Sequence, residues 1–129
     1  MAVAAVVSLH LPLTYATDKL IDGRALERMK PQAVLINTSR GGIIDEPALT
    51  EALRNRRIAA AGLDVFAEEP VDPANPLLAL SNVVVTPHVT WYTVDTMRRY
   101  LTAAIDNCRR LRDGQPLMNV VGSGQEGLT

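Results

Sequence analysis

A chain of 129 residues, 47% hydrophobic and 21% charged, is long enough to bury one core and too apolar to be disordered. Its net charge of −1 gives no electrostatic footprint for nucleic acid or an anionic membrane, so neither is an expected partner. The lone Cys108 excludes an intrachain disulfide, and no run approaches the ~20 apolar residues of a spanning helix, so the cytoplasm is the expected setting.

The opening stretch MAVAAVVSLHLPLTYA lacks a basic n-region, and His10 and Pro12 interrupt its apolar run. It therefore reads as structure, not as an export signal. Its apolar part, Ala4–His10, predicts a first strand. Asp22 then caps a helical segment carrying Ala25, Leu26 and Met29. A second strand, Ala33–Thr38, breaks off in Ser39-Arg40 and the turn residues Gly41-Gly42. Asp45 caps a further helix, with Glu46 and Pro47 in its first turn and Leu49, Ala52 and Leu53 on one face. Ile58–Val65 and Asn82–Thr86 predict two more strands. All four runs lack polar alternation, the pattern of strands covered on both faces.

Between the last two strands, AEEPVDPANPLLALS contains Pro70, Pro73 and Pro76 and has no room for a long helix. Loops of this length in a small domain usually serve function. The longest helix begins near Thr93 and puts Val94, Met97, Leu101, Ala104, Ile105, Cys108 and Leu111 on one stripe. Arg109, Arg110 and Arg112 suit its C-terminal dipole, and Gly114 supplies the stop. Residues 115–129 show no periodicity and read as a tail to a body spanning 1–114. Alternating strands and helices predict an α/β fold, a parallel sheet of about four strands with right-handed crossovers.

Ligands of such sheets bind beyond the carboxyl ends of the strands. Those ends carry His10-Leu11-Pro12, then Thr38-Ser39-Arg40, then Asp64 running on to Glu68-Glu69-Pro70, and last Pro87-His88. Arg40 is either a surface arginine bonding a loop carbonyl or a fork of donors for a carboxylate. His88 has an acidic pair on the preceding connection, and a carboxylate-held histidine is a general acid–base device. One of Glu68 and Glu69 is expected to be merely solvated. Asp64 ends an otherwise apolar strand without a structural reason to be there. His10 can simply terminate its strand, and no metal site is expected.

With these residues in view, the chain resembles the nicotinamide-binding domain of the D-isomer-specific 2-hydroxyacid dehydrogenases over roughly residues 4 to 121. The stretches VVSLHLPLTYATDKLI, MKPQAVLINTSRGGIIDEPAL, AGLDVFAEEP and VVVTPHVTW carry the resemblance. It implies a partial doubly wound, Rossmann-like sheet and NAD or NADP as cofactor. It also implies that Arg40 binds a 2-oxo acid and polarises its carbonyl. His88 is then the proton donor or acceptor, and Glu69 its carboxylate partner. Asp64 would contact the nicotinamide carboxamide. His10, Leu11, Pro12, Thr38 and Ser39, with Arg40 and His88, would line the cofactor's path. Trp91 resembles the hydroxypyruvate- and glyoxylate-reducing branches.

Members of that family are more than twice as long, and this sequence has no G-x-G-x-x-G set between a strand pattern and a helix pattern, since GSGQEG near the C-terminus has neither flank, and no acidic residue placed for a ribose hydroxyl. The expectation is therefore a truncated half. Its partners would be the N-terminal half of the domain, a substrate domain and a small 2-oxo or 2-hydroxy acid. Weak cofactor binding by the chain alone and self-association through the Ala4–His10 edge or the uncovered face beside it would follow. The competing reading is a non-catalytic fragment or interaction module that keeps these residues by descent.

Overall fold

The structure, a computed structural model, describes residues 3–120. Most of the tail at 115–129, with its GSGQEG stretch, lies outside the described residues. The chain forms two compact units, one ending at His88 and the other beginning at Val89.

The first unit contains β1 (Val6–Leu9), α1 (Gly23–Glu27), β2 (Val34–Asn37), α2 (Glu46–Arg54), β3 (Ala60–Leu63) and β4 (Val83–Val85). Two 3₁₀ turns, Gly41–Ile43 and Pro76–Ala79, interrupt the connections. The four strands are parallel in the order β1-β2-β3-β4, as the alternation predicts. Asp22 and Asp45 cap α1 and α2 by accepting hydrogen bonds from the amides of Ala25 and Ala48.

The core is built on one side of the sheet. Leu9, Leu35, Ala61 and Leu63 are buried together with Leu26 of α1, Leu49 and Leu53 of α2, and Ile58 and Leu77 from the connections. The central strands alternate between buried and part-buried residues. On the outer strands, Val6 is 56% exposed and Val84 72% exposed. The expectation of cover on both faces is thus corrected. Both helices of this unit pack on the same face, and alternate side chains of the strands point the other way.

Register does the positioning. Leu9, Asn37, Leu63 and Val85 are Cα partners across the four strands. The residues that follow each strand therefore emerge at one level along a sheet edge that spans three strand spacings, roughly 14 Å.

In the second unit, α3 (Val94–Arg112) is capped by Thr93, which accepts from the Thr96 amide. Gly114 follows it at φ 64°, the left-handed conformation of a helix stop. No side chain of α3 is buried. No helix among the described residues is long and apolar enough to cross a membrane.

Candidate active site

The turn after β2 is organised by a residue the sequence does not single out. Asn37 is fully buried, donates from Nδ2 to the Arg40 carbonyl at 2.9 Å and accepts from the Ser39 amide at 3.0 Å. It closes the Asn37–Arg40 turn on itself. Ser39 donates from Oγ to the Leu9 carbonyl at 2.7 Å, joining the ends of β1 and β2. Arg40 ends this turn with an exposed side chain whose Nη1 donates to the Ser39 carbonyl. Among the described residues no carboxylate lies within ion-pair distance of it.

The connection after β3 approaches the same place. Gly41 is buried, and a Cβ built on it would overlap the backbone of Phe66 and Ala67. Only glycine lets these two chain segments meet. Just beyond the contact, Glu69 accepts from the Phe66 amide at 3.0 Å through Oε1. Its other oxygen, Oε2, lies 2.8 Å from Nδ1 of His88. Glu69 is thus the partner of the histidine, whereas Glu68 is exposed and forms no ion pair among the described residues.

His88 adopts φ 54°, a left-handed conformation uncommon for a non-glycine residue. Its own amide holds it there by donating to the Asp64 carbonyl at 2.8 Å. Strain of this kind gathers at functional sites. Asp64 is 2% exposed, and its carboxylate accepts a short hydrogen bond from the Thr86 hydroxyl. Thr86, like Asn37, is a supporting residue that sequence reasoning missed. In both cases the available signal was a polar residue closing an apolar run.

The charges act on one another. Burial pushes the Glu69 carboxyl up. The His88 hydrogen bond, the Phe66 amide and the nearby charges of His88 and Arg40 outweigh it and leave the group below its ordinary value of 4.5. A cavity of about 400 Å³ opens here, with Asp64, Glu69 and His88 beside the apolar Phe66, Val71 and Leu78. A larger groove of about 460 Å³ between α1 and α2 carries none of these groups.

His10 belongs to the opposite end of the sheet edge. It is exposed, and Nε2 lies 2.9 Å from the Ser8 hydroxyl. Leu11 and Pro12 follow it, exposed, and Thr38 is half-buried at the end of β2. The structure thus unites Glu69 with His88 near Arg40 and Asp64. It leaves His10, Leu11 and Pro12 at the β1 end of the same edge. Among the described residues, no group of three or more His, Cys, Asp or Glu is placed to hold a metal ion.

Comparison with known proteins gives this arrangement a context. Residues 1–90 match the D-isomer specific 2-hydroxyacid dehydrogenase, NAD binding domain. The chain is 47% identical over 104 residues to (S)-sulfolactate dehydrogenase of Chromohalobacter salexigens, covering 81% of this chain and 34% of that protein. It is 46% identical over 116 residues to glyoxylate reductase of Aeropyrum pernix, covering 90% of this chain and 35% of the other. D-lactate dehydrogenase of Lactobacillus jensenii, solved with NAD+, superposes with a TM-score of 0.85 at 37% identity, over 92% of this chain and 40% of that one. The chain spans about a third of the length of the curated relatives it matches.

The Gly41 contact and the Glu69 carboxylate yield one joint prediction. A carboxyl with a folded-state pKa below 4.5 stabilises the fold above that pH, and the contribution disappears as pH falls through the lowered value. Gly41→Ala should push the Phe66–Glu69 backbone away, cost about 3 kcal/mol in urea unfolding and flatten this acid-limb dependence. An alanine variant with unchanged stability and an unchanged acid limb would show that the contact positions nothing.

Proposed function

The chain belongs to the D-isomer-specific 2-hydroxyacid dehydrogenase family, in its NAD-binding domain, and on that premise we propose that it bears the catalytic residues of an NAD- or NADP-dependent oxidoreductase. The reaction is the interconversion of a 2-oxo acid and a D-2-hydroxy acid. Glyoxylate and hydroxypyruvate are the favoured substrates, and the cytoplasm the favoured setting. The observation that carries this reading is the Glu69–His88 pair at 2.8 Å beside Arg40.

Each residue has a task set by its chemistry. The Arg40 guanidinium offers paired donors to the substrate carboxylate and stabilises negative charge growing on the C2 oxygen. Glu69, ionised, accepts from Nδ1–H of His88, which assigns proton transfer at the C2 oxygen to Nε2. In reduction His88 gives that oxygen a proton, and in oxidation it takes one away. Glu69 fixes the ring and stabilises the imidazolium between turnovers. A nicotinamide cofactor, when bound, supplies or accepts the hydride at C2.

The strand ends suit such a cofactor: a buried Asp64 carboxylate at one end, and an exposed run of His10, Leu11 and Pro12 at the other. Asp64 would hold the nicotinamide end, and Thr38, Ser39, His10, Leu11 and Pro12 would line the path leading away from it. A glycine-rich phosphate loop and a substrate domain would be supplied by further polypeptide. The second reading, an interaction module that keeps the residues by descent, is favoured only by the lack, among the described residues, of a G-x-G-x-x-G between a strand and a helix.

A chimera separates the two readings. Residues 4–120 placed into the Aeropyrum pernix glyoxylate reductase, over the segment they match, should reduce glyoxylate. His88→Ala in that chimera should lower kcat by roughly 10²–10⁴. A folded chimera that binds cofactor but turns nothing over would favour descent without catalysis.

For the 129-residue chain alone, calorimetry should find NADH binding weaker than about 1 mM, equivalent to less than roughly 4 kcal/mol, because no helix-terminal glycine loop among the described residues cradles the pyrophosphate. Micromolar affinity would require a different phosphate site.

Self-association should accompany this weak binding. β1 pairs only with β2 among the described residues, and Val3 and Val6 are 84% and 56% exposed near it. Neither lysine nor proline blocks this edge before Pro12. Val6→Lys should shift light scattering toward monomer, and a parent chain that is monomeric at high concentration would refute the pairing.

A further inference from the structure

The Glu69–His88 pair depends on a connection with almost no regular structure, from Asp64 to Asn82, and something must fix its path. Glu46, the first residue of α2, has no capping duty, because Asp45 already accepts from the Ala48 amide. Its carboxylate instead spans two distant points of that connection. Oε1 accepts from the Ala67 amide, and Oε2 accepts from Nδ2 of Asn75 at 3.2 Å. Asn75 in turn accepts from the Leu77 amide at 2.9 Å through Oδ1. Leu77 is fully buried in the core. The connection is thus tethered on both sides of Glu69 by one carboxylate.

The tether acts next to the group that orients Glu69. Ala67 follows Phe66, whose amide donates to Glu69 Oε1, and the peptide between Phe66 and Ala67 is the one that Gly41 allows to approach. Gly41 makes room for this peptide and Glu46 bonds it. We infer that Glu46, acting with Asn75, is a positioning residue that sets Glu69 against His88. The inference rests on the acid–base reading of that pair only for its catalytic meaning; the geometry stands without it.

Hydrogen-bond polarity supplies the test. Both carboxylate oxygens of Glu46 accept, so Glu46→Gln turns an amide donor toward either the Ala67 N–H or the Asn75 amide, and one bond is lost. Asn75→Asp opposes two carboxylates. Combined, the two changes restore complementarity: the introduced amide donates to the introduced carboxylate, its oxygen still accepts from Ala67, and net charge is unchanged.

In the 129-residue chain, each single variant should raise the Glu69 carboxyl pKa toward 4.5, read by carbon NMR. His88 and Arg40 are the charged groups facing Glu69, and neither is altered. Hydrogen exchange of the Phe66 amide should quicken by about tenfold. The double variant should return both readouts to the parent values. Single variants that leave both readouts unchanged, or a double variant as displaced as the singles, would overturn the inference. If a single variant melts, the double variant decides alone. Neither readout involves turnover, so an inactive chimera would leave the tether standing, and a failed rescue would leave the acid–base pair standing.

Discussion

Two loops can meet at this site because residue 41 has no side chain. A β-carbon there would occupy the space of the Phe66–Ala67 backbone, so the turn after β2 and the connection after β3 approach only around glycine. Everything charged in the site is measured from that contact. Arg40 precedes Gly41 by one residue, and the contacted peptide is followed within three residues by Glu69. Arg40 is therefore near enough for its charge to help hold the Glu69 carboxyl below its ordinary range. Steric permission at one backbone position becomes electrostatic coupling between residues 29 apart.

What sequence could convey divides along the same physical line. The four strands, the caps at Asp22, Asp45 and Thr93, and the stop at Gly114 are local patterns, and they stand where the chain's periodicity puts them. Strand ends are local too, so the gathering of Arg40, Asp64, Glu69 and His88 at one edge was legible. The supporting bonds were not. Asn37, Thr86 and Glu46 act through orientation, and orientation depends on what folding brings opposite them. Nor does an apolar run report whether each face is covered. Val84 is as apolar as Leu35, yet one is 72% exposed and the other fully buried. Hydrophobicity states a preference, and the packing of neighbouring elements decides how far it is met.

The Glu69–His88 pair itself sits at an unusual balance. His88 is held in a left-handed backbone conformation by the Asp64 carbonyl, while its ring is held by Glu69. Asp64 is in turn gripped by Thr86, two residues before the histidine. Backbone and side chain of His88 are thus fixed by two different acidic residues of one connection. The first is a neutral backbone hydrogen bond and the second a bond to a carboxylate. Removing either would free a different torsion of the same residue.

Because Leu9, Asn37, Leu63 and Val85 form one row, the candidate site residues lie beyond one end of the sheet, and among the described residues the turns at the other end carry none of them. Pro31, Gln32, Asn55, Arg56 and Ser81, where the chain enters its strands, are exposed. An insertion there lengthens only a surface loop, whose closure costs little. One residue added inside a strand would turn every later side chain of that strand to the opposite face. The molecule has a permissive pole and an intolerant one. Fusion tags, reporter loops and evolutionary drift in length all belong at the former.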